Sequence, residues 1–108
     1  MKLAPLAILL TLAMTPGLAT AADSAAGKEV FQTKCQSCHG PDGQGKAALA
    51  KMLKVTMNPL GSAEVQSMTD EQLEKIVTTG KDKMPPVRNL SKTEVDNVIA
   101  FVRTLAKK

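Results

Sequence analysis

One short run, Cys35-Gln36-Ser37-Cys38-His39, constrains this chain of 108 residues more than any other part of its sequence. The spacing C-x-x-C-H is typical of c-type haem attachment, in which two thiols bond one porphyrin and the adjacent imidazole lies beneath the iron. The chain has two cysteines and one histidine in total. The sequence therefore predicts one covalently bound haem c, held by Cys35 and Cys38 with His39 as an iron ligand, and it excludes bis-histidine ligation from within the chain.

Three other uses of the two thiols fit the sequence less well. A thiol-disulfide oxidoreductase would place C-x-x-C in a βαβ context, whereas no alternating strand pattern longer than a few residues occurs here. A structural zinc ion takes four ligands, and Cys35, Cys38 and His39 supply only three. A plain disulfide between the two cysteines is equally disfavoured, so haem attachment remains the favoured interpretation.

The first 22 residues have the pattern of a secretory signal peptide. Lys2 gives a positive start, residues 3–14 are almost entirely apolar, and Ala19-Thr20-Ala21 is a small-x-small cleavage site. A membrane-spanning helix needs roughly 20 apolar residues, which is more than this stretch offers, and no cysteine is present at the cleavage site to take a lipid. We therefore expect a signal peptide over residues 1–22 and an exported, periplasmic domain over residues 23–108 without a membrane anchor.

The composition of the mature chain favours a fold built around a cofactor. Removal of 22 residues from 108 leaves 86, enough for one small domain. A chain of this size buries only about 60–65% of its unfolded surface, and Phe31 and Phe101 are its only aromatic residues. Large aromatic side chains bury ~150–250 Å² each and normally dominate a core. A covalently held porphyrin would fill the space that they leave.

The charge of the chain favours protein partners over nucleic acid. Its formal net charge is +4, and no aromatic residues alternate with the basic ones to form the stacking platform that single-strand binding uses. Four lysines could form a modest basic patch around a haem edge and steer an acidic redox partner: Lys34, Lys46, Lys81 and Lys83. A solvated surface is the simpler explanation of the same lysines.

Hydrophobic periodicity predicts an all-α chain. A first helix from about Ser24 to Lys34 leads into the two cysteines, and a short helix is expected over Lys46–Met52. Two later helices each begin with a capping box, in the runs Thr69-Asp70-Glu71-Gln72 and Ser91-Lys92-Thr93-Glu94. Gly80 stands where a glycine would end the first of them, and the second continues with apolar residues at helical spacing to the C-terminus.

A second iron ligand is predicted between those two helices. The run Pro85-Pro86 lacks backbone N–H groups and keeps Met84 out of the helical conformation, so the Met84 thioether lies on a stiff, extended loop. Together with C-x-x-C-H upstream, this position favours Met84 as the metal-binding methionine. The mature chain has three other methionines: Met52, Met57 and Met68. Met57 is the strongest rival, because it precedes an Asn-Pro pair outside any predicted helix.

Four runs, taken in order, resemble the small bacterial class I cytochromes c. They are Ala26-Gly27-Lys28-Glu29-Val30-Phe31, Cys35-Gln36-Ser37-Cys38-His39-Gly40, Gly80-Lys81-Asp82-Lys83-Met84-Pro85-Pro86 and Ile99-Ala100-Phe101-Val102-Arg103-Thr104-Leu105. The resemblance covers essentially the whole mature chain, although residues 48–68 match no strict family pattern. It implies three to four helices around one covalent haem, with the first and last helices crossing at a glycine packed against an aromatic residue. Gly27 and Phe101 match those two positions.

The same resemblance implies the roles of the site residues. Cys35 and Cys38 would carry the thioethers, His39 would be the proximal iron ligand, and Met84 the distal one. His39 is expected to donate its outer N–H to a backbone carbonyl, in the loop over residues 40–46. An iron with both axial positions filled has no open site for a substrate, so the implied function is single-electron transfer between redox partner proteins rather than enzymatic catalysis.

Two alternatives remain open at the level of the sequence. The first is a ligand-binding or sensing haem protein in which Met84 is labile. The second is a cytochrome subunit of a larger oxidoreductase complex.

Overall fold

The computed structural model describes residues 21–106 and the single position Ala4. The predicted signal peptide over residues 1–22 therefore lies almost wholly outside the described residues, and its cleavage stays a prediction. Within the described residues, no helix is long and apolar enough to cross a membrane.

The part of the chain from residue 21 to residue 106 is helical and contains no strand. Its helices are α1 (Ser24–Lys34), α2 (Gln36–His39), α3 (Ala47–Leu53), α4 (Ala63–Gln66), α5 (Asp70–Thr79) and α6 (Lys92–Thr104). Both α2 and α4 are single turns of four residues, so four helices of ordinary length remain. The predicted all-α class and helix number are confirmed, and the prediction missed only the two short turns.

The two capping boxes form as predicted. In the first, the Thr69 hydroxyl accepts from the Gln72 N–H at 3.1 Å, and the Gln72 side chain accepts from the Thr69 N–H at 2.9 Å. Ser91 and Glu94 make the same reciprocal pair, with both distances 3.1 Å. Because these bonds satisfy helix donors that would otherwise lack partners, they determine where α5 and α6 begin.

Helix α1 packs chiefly against α6. A Cβ atom at Gly27 would overlap the carbonyl oxygen of Asn97 in α6, so only a glycine allows this close approach. The aromatic contact of the crossing is made by Phe31, whose ring lies 5.0 Å from the ring of Phe101 with the planes tilted by 52°. Gly27 therefore lies against the α6 backbone, and Phe31, one turn further along α1, contacts Phe101.

The hydrophobic core is small and has two parts. The first contains Phe31, Val98 and Phe101, with Cys35 among the partly buried residues packed against it. The second contains Leu73, Val95 and Ile99. These six side chains are the buried hydrophobic residues of the described chain. The contact of Cys35 with the first part connects the predicted haem-attachment run directly to the core.

Two polar side chains fasten the segment before α5 onto α6. Gln66 donates through Nε2 to the carbonyl oxygens of Leu60 at 2.8 Å and Val102 at 3.0 Å. Arg103 donates in turn to the carbonyl oxygens of Gln66 at 2.9 Å and Met68 at 2.6 Å. These bonds add to the apolar contacts that Leu60, Val65 and Met68 of the same stretch make with the core.

Candidate haem site

The C-x-x-C-H run forms a single helical turn at the end of α1. The Cys35 N–H donates to the Phe31 carbonyl at 2.9 Å and so continues α1, while the N–H groups of Cys38 and His39 donate to the Cys35 carbonyl at 3.2 and 3.0 Å. Residues three and four positions apart lie on the same side of a helical turn. This turn therefore presents the two thiols and the imidazole together. Both thiols are free, with Cys35 half-buried and Cys38 exposed.

Burial determines the protonation of this turn. Burial, together with the smaller effect of the neighbouring Cys38, raises the pKa of Cys35 to about 11. Burial also lowers the pKa of His39, so its imidazole is neutral at pH 7. A neutral imidazole keeps the nitrogen lone pair that a metal ion requires.

A glycine-rich loop folds back behind His39. The Gly45 N–H donates to the His39 carbonyl at 2.7 Å, and the Leu60 N–H donates to the Gly43 carbonyl at 2.9 Å. The predicted bond from the His39 ring to a carbonyl of residues 40–46 is wrong for this structure, because the buried Nδ1 atom has no hydrogen-bond partner. The loop reaches His39 through the backbone carbonyl instead, which leaves the ring free of a hydrogen bond.

Met84 ends a tight turn after α5. Its N–H donates to the Lys81 carbonyl at 2.8 Å, and the Lys81 N–H donates to the Met84 carbonyl at 3.0 Å. Asp82 lies inside the turn with a φ of 52°, and the Val87 N–H donates to the Val77 carbonyl of α5 at 2.8 Å. Met84 is thus non-helical, as the adjacent prolines predicted, and its backbone is held from both sides.

The C-x-x-C-H turn and the Met84 turn form walls of one cleft. The cleft has a volume of about 350 Å³, and Cys35, Cys38, His39 and Met84 line it together with the cations Lys34 and Arg88. Two free thiols, a neutral imidazole and a thioether are the donor set that a c-type haem uses. The residues of this cleft therefore fit a covalently bound haem c.

The rival methionines lie elsewhere. Met57 is half-buried and packs against the loop behind His39, because a Cβ atom added at Gly45 would lie 3.3 Å from the Met57 Cβ. Met52 is 70% exposed on α3, and Met68 packs against the second part of the core. Within residues 21–106, Met84 is the methionine that lines the cleft.

Sequence reasoning missed one charged residue of the cleft. Lys34 was one of the four lysines expected around a haem edge, and it does line the cleft, but Arg88 was not singled out. The available signal was its position four residues after Met84, within the same loop. Lys46 lies away from these walls, at the beginning of α3.

Comparisons with known proteins show the family of this chain. An all-α fold with a C-x-x-C-H turn and a methionine on one cleft defines the class I c-type cytochromes. The family model described as "Cytochrome C oxidase, cbb3-type, subunit III" matches residues 22–102. The chain belongs to this cytochrome c family, so its cofactor is a covalently attached haem c.

Two curated relatives are also cytochromes. The chain is 29% identical over 92 residues to cytochrome c-554(547) of Halothiobacillus neapolitanus, a match that covers 79% of this chain and 99% of the relative. It is 31% identical over 88 residues to cytochrome c6 of Cyanidioschyzon merolae, covering 82% of this chain and 80% of the relative. Both relatives are electron-carrier cytochromes, and neither is an enzyme.

Solved structures show the same fold. The c-type cytochrome KustC0563 superposes with a TM-score of 0.63 at 26% identity, covering 75% of this chain and 98% of that one. Cytochrome cL of Methylophaga aminisulfidivorans has a TM-score of 0.59 at 28% identity, covering 76% of this chain. This chain spans about half the length of that cytochrome cL, since 52% of it is covered.

Proposed function

We propose that this cytochrome shuttles single electrons between redox proteins in the periplasm, with Cys35 and Cys38 as the haem thioethers, His39 as the proximal ligand and Met84 as the distal ligand. The observation that carries the proposal is that a neutral imidazole and a thioether line the same cleft as two free thiols. The haem, when bound, supplies the reversible one-electron iron couple. The chain supplies its position and its axial ligands.

The two ligand-bearing turns suit an electron carrier. His39 lies on a turn that continues α1, and Met84 lies on a turn with reciprocal backbone bonds to Lys81. Because backbone hydrogen bonds hold both turns, the two ligands would move little between oxidation states, which would keep the reorganisation energy small. Two ligands from the chain also leave the iron no free position for a substrate or a gas.

The cleft is suited to a partner with an acidic docking surface. Its charged lining residues are the cations Lys34 and Arg88, and neither forms a salt bridge within residues 21–106. Exposed Lys81 and Lys83 precede Met84 in its turn, with exposed Asp82 between them, and do not line the cleft itself. Positive charge at the mouth of a redox site raises the rate of encounter with negatively charged partners.

The sequence of the first 22 residues supports the proposed periplasmic location. The pattern of residues 1–22 is that of a cleaved signal, and haem is attached to C-x-x-C-H outside the bacterial cytoplasm. We expect the intact mass of the purified protein to lack about the first 22 residues and to include one covalent haem. A mass equal to the bare polypeptide, or haem lost on extraction with acidic acetone, would contradict this.

Substitution of Met84 tests the ligand assignment. Met84→Ala should make the iron high-spin, allow the reduced protein to bind carbon monoxide, and lower the reduction potential, because a soft thioether that favours Fe(II) is removed. Visible spectra, carbon monoxide binding and a redox titration measure these effects. Met57→Ala is the matched control and should leave all three unchanged.

Two outcomes would favour another function. If wild-type protein binds carbon monoxide as fast as Met84→Ala does, the distal site is open and the protein is a ligand-binding haem protein. A subunit of a larger oxidoreductase complex is the second candidate, favoured by the family model's description as a cbb3-type subunit. Co-migration of the haem protein with a larger complex in solubilised cell extracts would support it, and a free haem protein of about the chain's own mass would exclude it.

A further inference from the structure

Gly80 lies directly against the backbone of the Met84 turn. It follows the last residue of α5 and has φ 79° and ψ 171°, a conformation that is essentially restricted to glycine. A Cβ atom at Gly80 would be 2.6 Å from the Met84 carbonyl oxygen, 2.9 Å from the Pro86 nitrogen and 3.1 Å from the Pro85 carbonyl carbon. All three are backbone atoms and cannot rotate aside, so any side chain at this position displaces the turn.

The turn cannot absorb such a displacement locally. Lys81 and Met84 exchange two backbone hydrogen bonds, and the Val87 N–H is bonded to the Val77 carbonyl of α5. Pro85 and Pro86 add two fixed φ angles between those anchors. A push on the Met84 carbonyl is therefore transmitted to the Met84 Cα and its side chain.

A glycine with positive φ is common at the end of a helix, but such a position does not have to lie close to other backbone atoms. Gly40 has a φ of 77°, yet a Cβ there would meet nothing closer than 3.7 Å. The positive φ of Gly80 is one reason for a glycine at this position. The three close approaches to the backbone of residues 84–86 are a second, independent reason, and these residues include the proposed ligand Met84.

We propose that Gly80 is a positioning residue for the distal ligand. The missing side chain lets the Met84 turn lie close against the end of α5, and this sets how far the Met84 thioether reaches into the cleft. The inference rests on the proposed role of Met84 and adds a residue that acts through it.

The test is Gly80→Ala in the haem-loaded protein. We expect weakening of the methionine-to-iron absorption band at the red end of the oxidised spectrum, and a lower reduction potential. Carbon monoxide binding to the reduced protein should become at least about tenfold faster, since about 1.4 kcal/mol of strain on the closed state changes its population tenfold. Gly27→Ala is the control: it also places a Cβ against backbone, but at the α1–α6 crossing, and should leave the band, the potential and carbon monoxide binding as in wild type.

A double substitution separates positioning from general destabilisation. In a Met84→Ala background, adding Gly80→Ala should leave spin state and potential unchanged, because there is no thioether left to position. An equal shift of the potential with and without Met84 would overturn the inference. If Gly80→Ala keeps the wild-type band and carbon monoxide rate while Met84→Ala loses the band, the inference fails and the proposed function stands. If Met84→Ala also keeps the band, the proposed function itself fails.

Amide hydrogen exchange on the wild-type haem protein covers the case in which Gly80→Ala does not fold. The N–H groups of Met84 and Val87 should exchange slowly and at similar rates, because a rigid turn opens as a unit. Exchange of the Met84 amide at the rate of an unprotected loop would show a turn able to absorb the added methyl group, and would overturn the inference.

Discussion

Gly27 is the residue on which the close packing of α1 against α6 depends. A Cβ at this position would fall on the carbonyl group of Asn97, in the α6 backbone. The Asp23 N–H, just before α1, also donates to the Asn97 side chain at 2.8 Å. Asn97 of α6 thus contacts the beginning of α1 with its side chain, and its backbone carbonyl lies against Gly27.

Gly27→Ala tests this crossing. Alanine in place of glycine inside an exposed helix normally stabilises by roughly 1 kcal/mol. Here we expect the opposite sign, a loss of about 1–3 kcal/mol of unfolding free energy, because the added methyl group forces the helices apart. Denaturant unfolding of the haem protein measures it. Lys28→Ala, at an exposed neighbouring position, should stay within about 0.5 kcal/mol; an unchanged or raised stability of Gly27→Ala would contradict the packing argument.

At the scale of helices, hydrogen bonds from polar side chains join the segment before α5 to α6. The Arg103 guanidinium donates to the carbonyls of Gln66 and Met68 and also to the carboxylate of Asp70 at 2.8 Å. The Asp70 side chain is 75% exposed, and exposed ion pairs contribute little. The bonds to the partly buried carbonyls should therefore account for most of the stabilisation by Arg103.

A pair of substitutions separates the two contributions. Arg103→Ala leaves the carbonyls of Gln66 and Met68 without their donor and should cost about 1–3 kcal/mol of unfolding free energy. Asp70→Asn removes the ionic contact and the negative charge in the first turn of α5 but leaves the bonds to the carbonyls, and should cost less than about 1 kcal/mol. Thermal or denaturant unfolding distinguishes them, and equal losses in the two variants would mean that the ion pair is the main term.

At the scale of the whole molecule, the chain folds with little apolar material of its own. Six hydrophobic side chains are buried within residues 21–106, and a cleft of about 350 Å³ separates the C-x-x-C-H turn from the Met84 turn. A porphyrin bound there would add apolar area on both walls. The haem is thus expected to be part of the core as well as the redox centre.

Removal of the attachment thiols tests this dependence. Cys35→Ala combined with Cys38→Ala should give a haem-free chain that is largely unfolded or molten, because a domain of this size is marginal without added stabilisation. Far-ultraviolet circular dichroism during heating measures helicity and cooperativity, with the haem protein as the reference. Native helicity and a cooperative melt without haem would show that the small core is sufficient.

The charge around the cleft predicts salt-dependent electron transfer. Oxidation of the reduced protein by the ferricyanide anion should slow as ionic strength rises from about 0.01 to 0.15 M, since the Debye length falls from about 30 to 8 Å. Replacing Lys34 and Arg88 together by alanine should slow the reaction at low salt and flatten that dependence. Lys28→Ala removes an exposed lysine that does not line the cleft. Equal slowing in this control would mean that net charge, and not the cleft, steers the anion.

Much of this protein is determined by the sequence itself, because the signals are local. The C-x-x-C-H spacing predicts the cofactor, and capping boxes acting over three residues predict the first residues of α5 and α6. Pro85 and Pro86 predict that Met84 is not helical. In each case the residues that interact are close in the sequence, so the pattern can be read without knowledge of the fold.

The tertiary structure alone decided the contacts between distant segments. Met84 and Met57 are alike as residues, and only the fold puts Met84 on the cleft and Met57 against the loop behind His39. The hydrogen bonds of Arg103 join residues more than 30 positions apart. From the sequence, Gly80 is only the glycine that ends a helix, and the structure adds that a Cβ atom there would lie 2.6 Å from the Met84 carbonyl oxygen. Such contacts depend on how helices pack, and packing is a property of the whole chain that local residue patterns do not encode.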